Sequence, residues 1–145
     1  MQSKNNEFSE HKVTSRAKGS LFLALALGFA VACNGIGATL TWVGDDSSNL
    51  WDINTSQMWN DGSGAAVYND GDTVTIDDSG SASPSIDLTA AVAPASVTVD
   101  NTDKSFTIAG AGSLAGTMPL NKSGTNTLSL RTANTFSGDV TVTGG

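Results

Sequence analysis

Two consecutive segments of the chain decide its fold: SVTVDNTDKSFTIAGAGSLAG, residues 96–116, and TMPLNKSGTNTLSLRTANTFSG, residues 117–138. Written one above the other, they place apolar residues on apolar residues and end together at a glycine. A further copy opens with DVTV at residue 139, and a looser copy starts near residue 72. The period is therefore 21 or 22 residues. Self-similarity at such a period is typical of stacked repeat architectures.

Apolar residues alternate with threonine, serine or aspartate inside each copy, as in Val97-Thr98-Val99 and Phe106-Thr107-Ile108. A period of two indicates strands with one buried face. Glycine, asparagine and aspartate separate the runs, which indicates turns. We therefore predict an all-β chain that forms a parallel β-helix or solenoid, with each coil burying its inward face against its neighbours. A β-sandwich of about eight strands is the alternative, but it gives no reason for the recurring period.

The alignment also predicts which residues stack on one another in about three coils of 21–24 residues between residues 72 and 145. The predicted stacks are Val97 on Met118 and Val140, Val99 on Leu120 and Val142, Phe106 on Leu128, Ile108 on Leu130, and Leu114 on Phe136. In the looser first copy, Val74 and Ile76 are predicted to stack on Val97 and Val99, and Ile86 and Leu88 on Phe106 and Ile108.

The segment 39–71 differs from the repeats because it holds Trp42, Trp51 and Trp59, the chain's three tryptophans. Terminal repeats of a solenoid are atypical because the end of the stack has to be covered. We predict that this segment is an N-terminal cap. The alternative is a carbohydrate-binding module, in which the same three indoles contact a glycan.

The N-terminus predicts export. Basic residues precede an uncharged apolar run at residues 20–32. A helix of that length rises roughly 20 Å, less than the hydrocarbon core of about 30 Å. Together with the small residues that follow, this is the layout of a secretory signal peptide, which we assign with its cleavage region to residues 1–38. Cys33 follows Ala30-Val31-Ala32 and is the one candidate for lipidation; cleavage after Ala38 would remove it.

After residue 38 the chain contains no cysteine, histidine or glutamate, and twelve aspartates face three basic residues. This part therefore carries a net charge of about −9. An acidic chain is unsuited to nucleic acid or anionic lipid, so we expect neither as a partner, and membrane contact only through the signal peptide or a lipid anchor. An exported chain without cysteine is not held by disulfides.

The same composition predicts that the protein is not an enzyme. Ser-His and Cys-His arrangements and His/Cys zinc sites need residues that are absent after residue 38. A β-helical polysaccharide lyase or hydrolase would need clustered carboxylates, and adjacent residues such as Asp77 and Asp78 point to opposite faces of a strand. The three basic residues are predicted at turns or outward positions: Lys104, Lys122 and Arg131.

Calcium is the one cofactor that the sequence leaves open, since it takes oxygen ligands from loops. The aspartates that cluster at predicted turns are Asp70, Asp72, Asp77, Asp78, Asp100 and Asp103. The chain contains no Asp-x-Asp-x-Asp-Gly loop. We expect most of these side chains to bond nearby backbone amides within the turns instead.

The segment from Leu120 to Gly138 and the valine strand after it resemble the autotransporter-associated β-strand repeat. That repeat runs as leucine, x, lysine, x-glycine-x-glycine, threonine-leucine-x-leucine, asparagine-threonine-tyrosine-serine-glycine and a valine strand. Asn126, Phe136 and Asp139 depart from it. Residues 39–74 are similar to the N-terminal segments of such proteins, through TLTW at residues 39–42 and GDTV at residues 71–74.

The resemblance implies a right-handed β-helical passenger region, secreted from or displayed on the surface of a Gram-negative-type bacterium. It implies no activity; an adhesive role would make extracellular polysaccharide, or a host or neighbouring cell surface, the partner. Family members are usually long. Because the chain stops at Gly144-Gly145, on the strand that opens a new coil, we expect the repeat array to be incomplete at this end.

Overall fold

The computed structural model describes residues 36–145, so Cys33 and nearly all of the predicted signal peptide lie outside the described residues. Every regular element in residues 36–145 is a β-strand. The strands are β1 (Thr39–Trp42), β2 (Leu50–Trp51), β3 (Trp59–Asn60), β4 (Ala65–Ala66), β5 (Thr73–Asp77), β6 (Ile86–Leu88), β7 (Ala91–Val92), β8 (Ser96–Asp100), β9 (Phe106–Ala109), β10 (Ser113–Leu114), β11 (Leu120–Ser123), β12 (Leu128–Leu130) and β13 (Val140–Val142).

The chain returns to the two larger sheets in each successive coil and visits a third, smaller sheet in two of the coils. The largest sheet has the order β13-β11-β8-β5-β1-β3-β4, and the second has the order β12-β9-β6-β2. A third sheet pairs β10 with β7. All pairs between successive coils are parallel. The structure is therefore a β-solenoid of about three turns, which confirms the predicted stacked coils over the β-sandwich.

The core of the solenoid consists of columns of inward side chains that run from coil to coil. Val74 lies opposite Val97, and Ile76 lies opposite Val99. These four side chains are completely buried, while the threonines between them stay half exposed. Burial of such a side chain contributes about 1.5–3 kcal/mol, and here the burial comes from the adjacent coils. A single coil could not provide it.

The first turn is longer than the others because it contains an additional hairpin. Leu40 pairs with Val74, which is 34 residues further along the chain, whereas Val97 follows Val74 by 23 residues. The additional residues include β3 and β4, which pair antiparallel to one another and attach β3 to the outer edge of β1. This hairpin covers the N-terminal edge of the large sheet.

Part of the predicted register is confirmed and part is wrong. Leu128 pairs with Phe106, as predicted. Val97 pairs with Leu120 and not with Met118, and Ile86 pairs with Ile108 and not with Phe106. Both errors are slips of two residues. Since side chains alternate with a period of two, such a slip leaves every residue on the same face, and the apolar pattern cannot distinguish the two registers.

Lys122 is a charged residue on the inward face of the solenoid. It was predicted at a turn or outward position, but it is 5% exposed and lies in an inward column, between Val99 and Val142. Its Nζ donates to the carbonyl oxygens of Ser123 at 2.6 Å, Gly124 at 3.0 Å and Gly144 at 3.1 Å. A buried ammonium group requires such partners, and here they come from two successive coils.

Replacing this ammonium group tests its role. Lys122→Met keeps a long apolar stem in the column but removes three charge-assisted hydrogen bonds, so we expect a loss of about 1–3 kcal/mol in the free energy of unfolding, measured with urea. Arg131→Met is the matched control, since Arg131 is exposed. Its replacement should leave the midpoint of the urea unfolding curve unchanged. Equal or greater stability of Lys122→Met would contradict this role.

Candidate functional site

Four aromatic side chains from the first turn pack against one another. Trp42 on β1 and Trp59 on β3 are paired residues in the antiparallel ladder. Their ring centroids are 5.1 Å apart at 77°, and those of Trp51 and Trp59 are 5.0 Å apart at 71°. Tyr68 meets Trp51 edge-on at 5.5 Å. Edge-to-face pairs of this kind contribute about 0.5–1.5 kcal/mol beyond area burial, so the cluster stabilises the end of the stack.

The structure brings together the three tryptophans proposed as glycan contacts, but it encloses them. Trp42 and Trp51 are 0% exposed, and Trp59 is 1% exposed. Stacking on a sugar ring requires an accessible indole face, and a platform requires at least two faces that are nearly coplanar. The near-perpendicular rings and their complete burial are the arrangement of a core. The cluster is therefore packed as part of the core of the first turn.

Polar contacts fix the cluster in place. Trp42 Nε1 donates to the carbonyl oxygen of Ser81 at 2.8 Å, and Gly80 lies so close that a Cβ there would be 2.5 Å from Trp42 Cδ1. The Tyr68 hydroxyl donates to Asp70 Oδ1 at 3.1 Å. Burial, followed by the nearby charge of Asp70, raises the pKa of Tyr68 far above its ordinary value. Within residues 36–145, Trp51 Nε1 is a buried donor that lacks a protein acceptor.

Several of the aspartates considered for calcium bind backbone amides. Asp78 accepts from the amides of Thr102, Asp103 and Lys104 in the turn of the next coil, at 2.8–3.0 Å. Asp72 accepts from the amides of Ala38 and Asn69, at 2.7 and 2.8 Å.

Three further aspartates of that set also accept hydrogen bonds from backbone or side-chain donors. Asp70 accepts from the Ala93 amide, Asp77 accepts from the Ser79 amide, and Asp100 accepts from the Ser123 hydroxyl. In the part of the chain that the structure describes, no three side chains of the metal-binding types form a group that could hold an ion.

Hydrogen bonds from backbone N–H and hydroxyl groups lower the pKa of two carboxyl groups, those of Asp45 and Asp78. Asp45 accepts from the backbone N–H of Asn49, the hydroxyl of Ser48 and the N–H of Ser47, in that order of effect, and its pKa falls from 3.8 to about 2. The pKa of Asp78 is also lowered, chiefly by the Thr102 N–H. Both carboxylates therefore favour the folded turn most strongly when they are ionised.

Two buried asparagines were not predicted. Asn49 is 0% exposed; its Nδ2 donates to Ser81 Oγ at 3.0 Å and to the Pro84 carbonyl at 2.6 Å. Asn101 is 0% exposed as well, and its Nδ2 donates to the carbonyls of Lys104 and Thr127. The sequence marks both only as turn residues, since asparagine is common in any turn.

The C-terminal end of the described stack exposes core residues. Val140 and Val142 on β13 are 56% and 62% exposed. Beside them lies an open cavity of about 310 Å³, lined in part by Lys122, Leu128 and Leu130.

No helix within residues 36–145 is long and apolar enough to cross a bilayer.

Comparison with known proteins gives no match, whether against family models, curated proteins or solved structures. The resemblance to the autotransporter-associated repeat therefore remains a prediction that rests on the residues quoted above.

The enclosed tryptophans predict a specific fluorescence result. Native protein should emit at shorter wavelength than urea-unfolded protein, and iodide should quench it only weakly, because the indoles have no solvent contact. Urea-unfolded protein is the internal control and should be quenched strongly. Strong quenching of the native protein, or a change in emission on adding oligosaccharides, would support the glycan platform instead.

The low pKa of Asp45 predicts a loss of stability in acid. The unfolded carboxyl group, with its ordinary pKa of 3.8, takes up a proton before the folded one. Stability from this group is therefore present above about pH 4 and is lost as the pH falls towards 2. Denaturation midpoints measured between pH 2 and pH 5 should fall less steeply for Asp45→Asn. Ser47→Ala, which keeps the backbone N–H, should retain the wild-type slope; equal slopes for all three proteins would refute the assignment.

Proposed function

We propose that this chain is a non-catalytic structural segment of a secreted or cell-surface protein, a β-solenoid that serves as a passenger or spacer. The observation that carries the proposal is the in-register stack of parallel coils, whose buried positions are used for packing and for holding turns. Such a stack gives an extended scaffold whose length grows with the number of coils.

The polar residues support a structural role. The carboxylate groups of Asp78 and Asp72 are occupied by backbone amides. Lys122, the buried basic residue, is bound to three carbonyl oxygens. Each of these groups is engaged in holding one coil or joining it to the next.

Sequence features support the location. The apolar run at residues 20–32 suits an exported chain, and the resemblance to the autotransporter-associated repeat implies a Gram-negative-type surface. If the protein adheres to extracellular polysaccharide or to another cell surface, its outer walls would make the contact, because the tryptophans are enclosed.

Export can be tested by expressing the full chain with a C-terminal epitope tag in a Gram-negative host and separating the cell fractions. We expect the tag in the periplasm, on the surface or in the medium, with the N-terminus shortened. Leu25→Arg places a charge in the apolar run and should leave the protein cytoplasmic and unprocessed, while Leu25→Ile should behave as wild type. An unprocessed cytoplasmic wild type would overturn the proposal.

The same preparation resolves the fate of Cys33. Cleavage after Ala32 leaves it as the N-terminal residue, with the mass of an attached lipid, whereas cleavage after Ala38 removes it. The intact mass of the processed protein distinguishes the two sites.

A further inference from the structure

The outward face of the largest sheet carries a regular array of hydroxyl groups. Three successive parallel strands each present two such residues, separated by one inward residue. The pairing of the strands aligns these residues in two columns. The array, here called the threonine lattice, consists of Thr39 and Thr41, Thr73 and Thr75, and Ser96 and Thr98. The second column continues through Asn121 to Thr141 on the next two strands.

Strand geometry fixes the spacings of this lattice. Neighbouring strands lie about 4.8 Å apart, and alternate residues along one strand lie roughly 6.7 Å apart. Thr41, Thr75 and Thr98 are half-buried by their neighbours, and threonine is already stiff at χ1. The hydroxyl and methyl groups are therefore held in position before any ligand arrives, which lowers the entropic cost of binding.

Charge narrows the class of ligand. The part of the chain after residue 38 carries about −9, yet none of that charge lies in the two columns. The nearest acidic column begins with Asp77 and Asp100, two residues further along the strands. A neutral lattice beside an acidic column complements an uncharged ligand. Because each hydroxyl can both donate and accept, a ligand that does the same and repeats in two directions would match every position of the lattice.

Crystalline water meets all of these conditions. Its surface is uncharged, each molecule donates and accepts hydrogen bonds, and the oxygen atoms on the prism faces of hexagonal ice repeat at distances close to both lattice spacings. We propose that the threonine lattice is a binding surface for ice. The hydroxyl groups would join the hydrogen-bond network of the outermost water layer, and the threonine methyl groups would fill the spaces between them.

The proposal is tested with the purified full chain in an ice-recrystallisation assay and by microscopy of single ice crystals. Folded wild type should slow recrystallisation and shape the crystals. Thr75→Tyr, which raises a ring above the middle of the lattice, should increase the concentration needed by about tenfold or more, corresponding to at least 1.4 kcal/mol.

The matched control is Thr107→Tyr, at an outward, half-buried position on β9 in the other long sheet. It should keep wild-type activity, and far-UV circular dichroism should show that both variants are folded. A folded wild type without effect on ice, or equal losses in the two variants, would overturn the proposal. Binding to crystalline cellulose or chitin without an effect on ice would overturn it in favour of a polysaccharide ligand. None of these outcomes depends on whether the chain is exported.

Discussion

The structure depends on one constraint: each coil can bury its inward side chains only against the coils above and below it. Fixing the backbone costs about 1–2 kcal/mol per residue. A short strand such as β8 pairs only with the strands of the neighbouring coils, β5 and β11. Columns such as Val74–Val97–Leu120 offset this cost only when parallel strands stay aligned. The same alignment buries polar groups that need hydrogen-bond partners; Lys122 and Asn49 have them, whereas Trp51 Nε1 lacks a protein acceptor.

Polar residues at the turns also serve the alignment of successive coils. A turn has to recur at the same height in every coil, and side-chain acceptors such as Asp78 hold the turn of the following coil in place. At the N-terminal end of the described residues, an antiparallel hairpin and the cluster around Trp59 provide the contacts in place of another coil. The outward threonines are left as a regular array on the largest sheet.

The periodic pattern was sufficient to predict the all-β stacked coils, the stacking of Phe106 and Leu128, and the distinct N-terminal segment. It was insufficient for the register of Met118 and Ile86, because a slip of two residues preserves the alternation of faces. It also missed the inward position of Lys122, since a lysine two residues before a glycine resembles a turn residue, and its acceptors include the carbonyl of Gly144, distant in sequence. The proposed glycan contacts depended on exposure, which residue type alone does not specify.

The central claim, in-register stacking of successive coils, is tested most directly by cysteine pairs in a Cys33→Ser background. Thr75 and Thr98 are paired residues on neighbouring strands, about 4.8 Å apart, within the Cα range of a disulfide. Thr75→Cys/Thr98→Cys should therefore form an intramolecular disulfide under native oxidising conditions, detected as loss of free thiols in the monomer. Thr75→Cys/Asn121→Cys spans two coils and should stay reduced. Oxidation of the second pair in place of the first would contradict the stacked solenoid.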